Sequence, residues 1–536
     1  MESIKLIFLI LPYLARTIRN LLFQVFLWQL KEYRLDRMRA HLSTLQGRRW
    51  LINPSTISRW ALFLVSPLLV GQGRGGIVFP FLVTALFIIE MASVIKQLLA
   101  RQVKHPKFTA KASLIVGGVG LLQILPLGGW LLTDLPFEML AFLLLGLAVF
   151  LPIFVSGTTA VLAPATLLAK KKIIATAKEK IETHPGLIVV GITGSFGKTS
   201  TKEFLATILS EKFSVLFTAE HHNTNIGIAQ CILAGLKKSH QVFIVEMGAY
   251  KKGEIAEICD FVHPQIGVIT GINPQHLALF GSMKNLLEAK FELIEALPQD
   301  GLAVFNGDDA YCLGFHKKTK VPKMLYSQKK KLNLTADKIL VGKDNLEFRV
   351  TTKGAGEKFN VPLIGRHNIS NILAAVSVAL HLEMSLKEIA RAAGKLKAVG
   401  QTLVVSPGPN GLRLIDDTYN ANPDGVMAAL EYLTVYSGKK ILVLQPMIEL
   451  GEATPDAHRR VGREAIKVCD LIILTNKNFF SSFVEKIKKS DKEKITVEPN
   501  PQMAALKLKK LLGKNDVVLF EGKEAEKTLK ELKIKK

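Results

Sequence analysis

Hydropathy breaks near residue 169: the chain before it is strongly apolar, and the rest has ordinary globular composition. About 20 apolar residues in a row suffice to cross a bilayer. Inside lipid the backbone must satisfy its own hydrogen bonds, which leaves helices as the economical solution. Residues 76–95 form one such run, interrupted only by Glu90; 112–132 form another, and 137–155 a third, with Glu138 at its edge. Residues 60–70 are short for a span and suit a tilted or re-entrant segment. Residues 4–30 are apolar but carry Arg16 and Arg19 in their middle, which fits an interfacial amphipathic helix or an irregular first span. No small-residue cleavage site follows, so this segment does not read as a removed signal peptide.

Basic segments set the expected orientation. Residues 31–59 carry Arg34, Arg37, Arg39, Arg48 and Arg49; 96–111 is a second basic stretch, and Lys170-Lys171-Lys172 opens a third. All three belong on the cytoplasmic side. The expectation is a multi-pass protein of the cell membrane, in contact with membrane lipid, with everything after Lys172 in the cytoplasm. The net charge of +25 collects beside apolar segments or on Lys-rich surfaces, so it points to a membrane and not to nucleic acid. Four widely spaced cysteines, with no metal-ligand or disulfide pattern, agree with a reducing compartment.

The second half opens on Gly194-Ser195-Phe196-Gly197-Lys198-Thr199-Ser200. It follows an apolar, strand-like run at 187–192 and precedes a helical run at 201–209. Strand, glycine loop, lysine, hydroxyl and helix together cradle nucleotide phosphates: loop N–H groups and the helix N-terminus face the anion, lysine reaches the terminal phosphates, and a hydroxyl can hold Mg²⁺. Ile192 stands where the longer eight-residue pattern has glycine, so this is the short Gly-x-x-Gly-Lys-Thr loop. ATP and Mg²⁺ are the expected ligands, with Gly194, Ser195, Gly197, Lys198, Thr199 and Ser200 around the phosphates.

Short branched apolar runs at 242–246, 266–270, 302–305, 441–444, 471–474 and 517–520 alternate with helical stretches such as 282–297, 370–382 and 424–433. That alternation predicts parallel α/β sheets with ligands at the carboxyl ends of the strands. Residues 317–358, Lys-rich with weak alternation, read as an inserted antiparallel piece. The fold class is therefore an α-helical membrane region (1–172), a P-loop parallel-sheet ATPase domain (173–396) and a C-terminal Rossmann-like α/β domain (397–536).

Polar groups gather at the ends of these runs. Glu246 ends a strand, where a carboxylate can bind Mg²⁺ directly or through water. His276 follows the next strand and suits either a second metal ion or a structural role. Lys290, taken alone, is a solvated lysine. Asn306-Gly307-Asp308-Asp309 suits a base, a ribose or a turn. Gly365-Arg366-His367-Asn368 opens a helix with one fixed cation. Asp416-Asp417-Thr418-Tyr419-Asn420-Ala421-Asn422-Pro423 is too dense in polar groups for a connector, and Glu449-Leu450-Gly451-Glu452 with His458 follows the strand at 441–444.

In this order the motifs resemble the Mur ligase family of ATP-dependent amide-forming ligases over about 187–532, and the Tyr419-Asn420-Ala421-Asn422-Pro423 string resembles its D-Ala-D-Ala-adding branch. The resemblance implies an enzyme of peptidoglycan precursor synthesis. ATP phosphorylates a muramoyl-tripeptide carboxylate, an amine such as that of D-Ala-D-Ala attacks the acyl phosphate, and phosphate leaves. It further implies that Lys198 stabilises the transferring phosphoryl group and that Thr199 and Glu246 hold one Mg²⁺. His276, with a carbamylated Lys290, would hold a second. Asn306 and Asp309, and the Arg366, His367 and Asn368 cluster, would lie on the nucleotide side. Asp417, Tyr419 and Asn420 would arrive when the C-terminal domain closes.

Departures are specific. Gly271-Ile272-Asn273 stands where the family usually has Asn-Ile-Gly; Gln401 replaces an arginine; Gln445-Pro446 replaces Gly-Asp; and Glu521-Gly522-Lys523 replaces Lys-Gly-Ser. Membrane segments stand where the family has its UDP-binding domain, so the acceptor is either UDP-linked or lipid-linked. Two competing readings remain: a related ligase acting on another carboxylate, of amidating or polyglutamate-forming type, and a membrane scaffold that binds ATP without turnover.

Overall fold

The computed structural model describes residues 2–43, 47–48, 52–69, 75–100, 103–133, 136–220, 222–274, 277–400, 403–419, 421–448 and 450–533. They divide into two compact units, Met1–Lys171 and Lys172–Lys536.

The first unit is helical. It contains α1 (Glu2–Leu30), α2 (Leu35–Ser43), α3 (Pro54–Leu69), α4 (Gly75–Leu99), α5 (Ala110–Leu131), α6 (Phe137–Val161) and the start of α7 (Ala163–Glu182). Four segments are long and apolar enough to cross a membrane: Ile4–Leu30, Val78–Leu99, Ala110–Leu131 and Phe137–Val161. The N-terminal segment is thus one long helix, and Arg16 is buried in it instead of lying on a solvent face. The short run at 60–70 belongs to α3, which starts earlier, at Pro54. Tyr13, Phe79, Val83, Phe87, Leu140 and Leu144 form one packed centre. Large apolar side chains such as Phe81, Leu121 and Leu131 point outward, a surface too apolar for water and suited to lipid.

The second unit holds two sheets. The first has nine strands in the order β2-β3-β1-β4-β5-β6-β7-β8-β9: β1 (Ile188–Thr193), β2 (Val215–Phe217), β3 (Val242–Glu246), β4 (Ile266–Ile269), β5 (Leu302–Asn306), β6 (Lys323–Ser327), β7 (Leu334–Val341), β8 (Leu346–Thr352) and β9 (Ala355–Val361). Strands β2 to β7 run parallel, and β7-β8-β9 form an antiparallel meander. The antiparallel piece is therefore β7 to β9, while β6, inside the expected insertion, still extends the parallel sheet. Val190, Ile192, Val242 and Ile244 contribute to one buried layer, and Val189, Phe243 and Val245 to the other. Burial on both faces explains why these strands read as unbroken apolar runs.

The second sheet runs β10-β11-β15-β12-β13-β14, from β10 (Val404–Pro407), β11 (Arg413–Asp417), β12 (Lys440–Leu444), β13 (Leu471–Leu474), β14 (Ile495–Val497) and β15 (Val517–Glu521). All its pairings are parallel except β10 with β11. The acids of Asp416-Asp417 lie within β11 and not after it.

Candidate functional site

The carboxyl edge of the first sheet collects the polar groups. Strand β1 ends at Thr193, and α8 (Lys198–Leu209) begins at the loop lysine, three residues earlier than its apolar pattern suggests. Lys198, Thr199 and Ser200 therefore occupy the first helical turn, where backbone N–H groups are free for an anion.

Two glycines make this loop possible. Gly194 has φ +149° and Gly197 φ +78°; a Cβ at Gly194 would lie 2.2 Å from Thr270 Oγ1, and one at Gly197 2.4 Å from Asn371 Oδ1. The loop is tied to the segment after β4. Ser195 N–H donates to Gly271 O (2.8 Å), Ser195 Oγ to Asn273 O (3.1 Å), and Thr270 Oγ1 to Phe196 O. The Phe196 ring lies 2.3 Å from where a Cβ on residue 271 would sit, so any side chain there would have to push the ring aside. Asn273 reaches the other way: its Nδ2 donates to Asp424 Oδ2 (3.0 Å) and Asn422 Oδ1 (3.5 Å) at the start of helix Pro423–Leu433. The reversed Gly271-Ile272-Asn273 string thus makes room for an aromatic ring on one side and links the two sheets' domains on the other.

Lys198 Nζ curls onto Gly194 O (2.8 Å) and Ser195 O (3.4 Å). The side chain keeps some exposed surface but its ammonium is desolvated, which lowers its pKa, with Glu246 pulling the other way. Glu246 is buried at the end of β3; Oε1 accepts from Asn223 Nδ2 (3.1 Å), and Oε2 lies 3.7 Å from Lys202 Nζ. Lys202, one helical turn after Lys198, is fully buried and donates to Thr218 O (2.7 Å). Lys290, on helix Met283–Glu295, is 4% exposed. Burial, followed by the charge of Lys198, lowers its pKa to about 7 against the pull of Glu254, Glu292 and Glu246. An amine that reads as solvated in sequence is buried and half-neutral in the fold.

On the other flank, Asn306 Nδ2 donates to Thr270 O (3.0 Å) and Ser370 Oγ (3.3 Å). Asp309 Oδ2 accepts from Ile272 N–H (2.9 Å), and Oδ1 from Cys312 N–H at the start of helix Ala310–Lys318. Arg366 turns outward to Gln328 Oε1 (3.4 Å) and lies 3.9 Å from Glu431. Burial lowers the His367 pKa to about 4 and leaves its buried Nδ1 without a partner. Asn368 donates to Ile364 O (2.9 Å).

From the C-terminal domain, burial raises the Tyr419 pKa, helped by Glu246, Glu220 and Tyr250; it faces the Glu246 side of the loop. Asp417 turns elsewhere. It pairs in register with Glu521 on β15 and accepts from Leu403 N–H (3.2 Å). Burial raises its pKa to about 7, and burial beside Asp417 pushes Glu521 well above the ordinary range. These two acids lie side by side inside the second sheet, where burial favours their protonated forms. His276, Asn420, Glu449 and Gln401 lie outside the described residues.

The residues brought together are Lys198, Thr199 and Ser200 with Glu246 and Lys290, flanked by Asn306, Asp309 and Tyr419. Sequence reasoning missed Asn223, Lys202, Asn371 and Asn273, which hold this set in place. Lys202 carried a signal, one turn beyond Lys198 on the same helix. The others are single amides in loops or a helix.

A nucleotide fits this donor set: two positive-φ glycines shape a loop that leads into a helix N-terminus and a lysine, and a Cβ on either glycine would clash with Thr270 or Asn371 and displace that loop. For Mg²⁺, the described residues contain no group of three His, Cys, Asp or Glu able to hold an ion. Thr199 and Glu246 suffice only for a cation that takes its remaining oxygens from water and phosphate, as Mg²⁺ commonly does.

Residues 192–379 match the model of the Mur ligase middle domain, and 401–524 that of the Mur ligase, glutamate ligase domain. The chain is 29% identical over 357 residues to UDP-N-acetylmuramoyl-tripeptide–D-alanyl-D-alanine ligase of Bacillus subtilis, covering 65% of this chain and 76% of that one. It is 34% identical over 280 residues to the enzyme of the same name from Escherichia coli, covering 52% and 62%, so it spans less than two thirds of that relative's length. Its structure resembles MurF from Acinetobacter baumannii (TM-score 0.63, 27% identity, 68% of this chain and 81% of that one). It also resembles the MurF ligase of Thermotoga maritima in complex with ADP (TM-score 0.61, 26% identity, 68% and 83%). With both domain models in order across more than half its length, on a fold whose phosphate loop and acidic strand end are intact, the chain belongs to the Mur ligase family.

Proposed function

We propose that this chain is an ATP-dependent amide ligase of peptidoglycan precursor synthesis that joins a dipeptide such as D-Ala-D-Ala to a muramoyl-tripeptide carboxylate. The observation that carries the reading is Lys198 and Thr199 on the first turn of α8, with Glu246 ending the neighbouring strand and Lys290 behind them. The similarity to ligases of that name supports the substrates.

The substrate carboxylate attacks the γ-phosphorus of ATP, giving an acyl phosphate and ADP. The dipeptide amine then attacks the acyl carbon, phosphate leaves, and the amine proton passes to phosphate or solvent. Lys198 leaves its loop carbonyls for the transferring phosphoryl oxygens, where a fixed cation lowers the barrier. Thr199 and Glu246 would hold Mg²⁺, which offsets phosphate charge when bound. Lys290, half-neutral near pH 7, supplies the neutral amine that adds CO₂ to give a carbamate and a proton; with His276 that carbamate would serve a second ion. Asn306, Asp309, Arg366, His367 and Asn368 are assigned to the nucleotide side. Asp417, Tyr419 and Asn420 are assigned to the closing domain, where Tyr419 has the clearest support.

We further place the protein in the cell membrane through its four apolar helices, with both ligase domains in the cytoplasm. Those helices favour a lipid-linked acceptor as the second reading. The test is phosphate release by the full chain in detergent with ATP, Mg²⁺ and D-Ala-D-Ala, comparing UDP-linked with lipid-linked tripeptide. Turnover with either acceptor, abolished by Lys198→Ala, is expected. Nucleotide binding without turnover on both overturns the proposed substrates.

A further inference from the structure

The first unit encloses a cavity of about 540 Å³ between α1, α3, α4 and α6. Its charged lining is Arg16, Arg19, Arg59 and Glu90, three guanidiniums against one carboxylate. Glu90 is already engaged by two of these arginines. It contacts Arg16 Nε, lies 3.1 Å from Arg59 Nε and accepts from Ser55 Oγ. Arg16 is 1% exposed; its Nη2 donates to Ala148 O (3.4 Å), and its Nη1 has no partner. Arg19 meets neutral oxygens: Gln97 Oε1 from Nε (3.1 Å) and Nη2 (2.6 Å), and Asn20 Oδ1 from Nη1 (2.9 Å).

Two positive charges are therefore in excess in a cavity otherwise lined by neutral polar and apolar side chains, inside a bundle whose outer surface is apolar. Guanidinium does not escape by deprotonation, and unpaired charge in such surroundings is costly enough to mark function. An anion with at least two charges balances the site, and planar guanidinium forks match phosphate oxygens. The place of the cavity names the source. It is lined by residues 53–60, 93–97 and 19–24, near helix ends that adjoin the basic segments 31–59 and 96–111. Two further lining residues, Ile89 and Ile153, are 68% and 60% exposed on the apolar outside of the bundle. The cavity thus opens sideways toward hydrocarbon at the end of the bundle that basic residues assign to the cytoplasm.

We propose that this cavity binds the phosphate or diphosphate headgroup of a membrane lipid, with its chain leaving past Ile89 and Ile153. The proposal stands on the first unit alone and does not rest on the ligase reading.

The test is binding to the full chain in uncharged detergent, in a Lys198→Ala background so that the phosphate loop does not compete. Probes are farnesyl diphosphate, dioleoyl phosphatidic acid, dioleoyl phosphatidylcholine and inorganic diphosphate. Saturable binding of the first two is expected, at least about tenfold tighter than inorganic diphosphate or phosphatidylcholine. Arg19→Gln should weaken it at least about tenfold, the usual effect of losing a charged hydrogen bond. Arg19→Lys should restore most of it, and Glu90→Gln, which adds to the positive excess, should tighten it. Equal affinity for inorganic diphosphate overturns the lipid source. Absence of binding, or lipid binding indifferent to Arg19→Gln in a protein with unchanged melting temperature, overturns the site.

Discussion

Lys290→Met separates stability from activity. The wild-type amine, ordinarily protonated below 10.5, gives up its proton near pH 7 in the fold, chiefly because it is buried. Each pH unit over which an amine is held neutral costs about 1.4 kcal/mol, so at pH 7 the folded chain bears a penalty of at most about 5 kcal/mol. Between pH 7 and 10.5 the unfolded chain holds the extra proton, so the wild-type fold gains stability as pH rises. Methionine has similar bulk and no proton to lose. The variant should be more stable than wild type at pH 7, by about 2–5 kcal/mol, and the advantage should vanish near pH 10. The readout is the melting temperature of the full chain in detergent at pH 7, 8.5 and 10, where the pH 7 gain amounts to several degrees. Phosphate release should be lost throughout. A variant that melts below wild type at pH 7 refutes the reasoning, because it would mean that a charged Lys290, paired with Glu254, Glu292 and Glu246, holds the fold together.

Gly197→Ala forces a side chain into φ +78° and toward Asn371 Oδ1; the backbone cost alone is about 1–2 kcal/mol. Nucleotide affinity should fall at least about tenfold, read by anisotropy of a fluorescent ADP, and unchanged affinity would count against the loop geometry. Asp417→Asn should stabilise the fold progressively from pH 4 to 7. The folded acid keeps its proton to about pH 7 while the unfolded one loses it near 3.8, so wild-type stability falls across that window. A flat difference in melting temperature across the window would contradict the raised pKa of buried Asp417. Asn273→Gly removes the bonds to Asp424 and Asn422 and should raise acceptor KM several-fold while ADP affinity holds, measured by steady-state kinetics and anisotropy; a parallel loss of ADP affinity would show that Asn273 supports the loop instead.

What the sequence disclosed and what it hid divide along a physical line. Parallel strands buried on both faces read as apolar runs, and a phosphate loop reads as glycines followed by Lys-Thr, because both are local in the chain. The apolar pattern starts α8 three residues late because Lys198, Thr199 and Ser200 are polar, and a helix whose first turn faces a phosphate carries no apolar stripe there. Long-range pairs left no local trace. Asp417 and Glu521 stand 104 positions apart (521 − 417) and meet only because β15 inserts between β11 and β12. In sequence Glu521 is merely an acid that closes an apolar run. In the fold it lies in register beside Asp417, and burial raises the pKa of both acids, so the second sheet does not carry two bare charges there. The same holds for Arg16 and Glu90, which sequence treats as flaws in two apolar runs. Brought together with Arg59 they make a single polar cluster, so the helices that carry them are at once apolar enough to span and the walls of the proposed site.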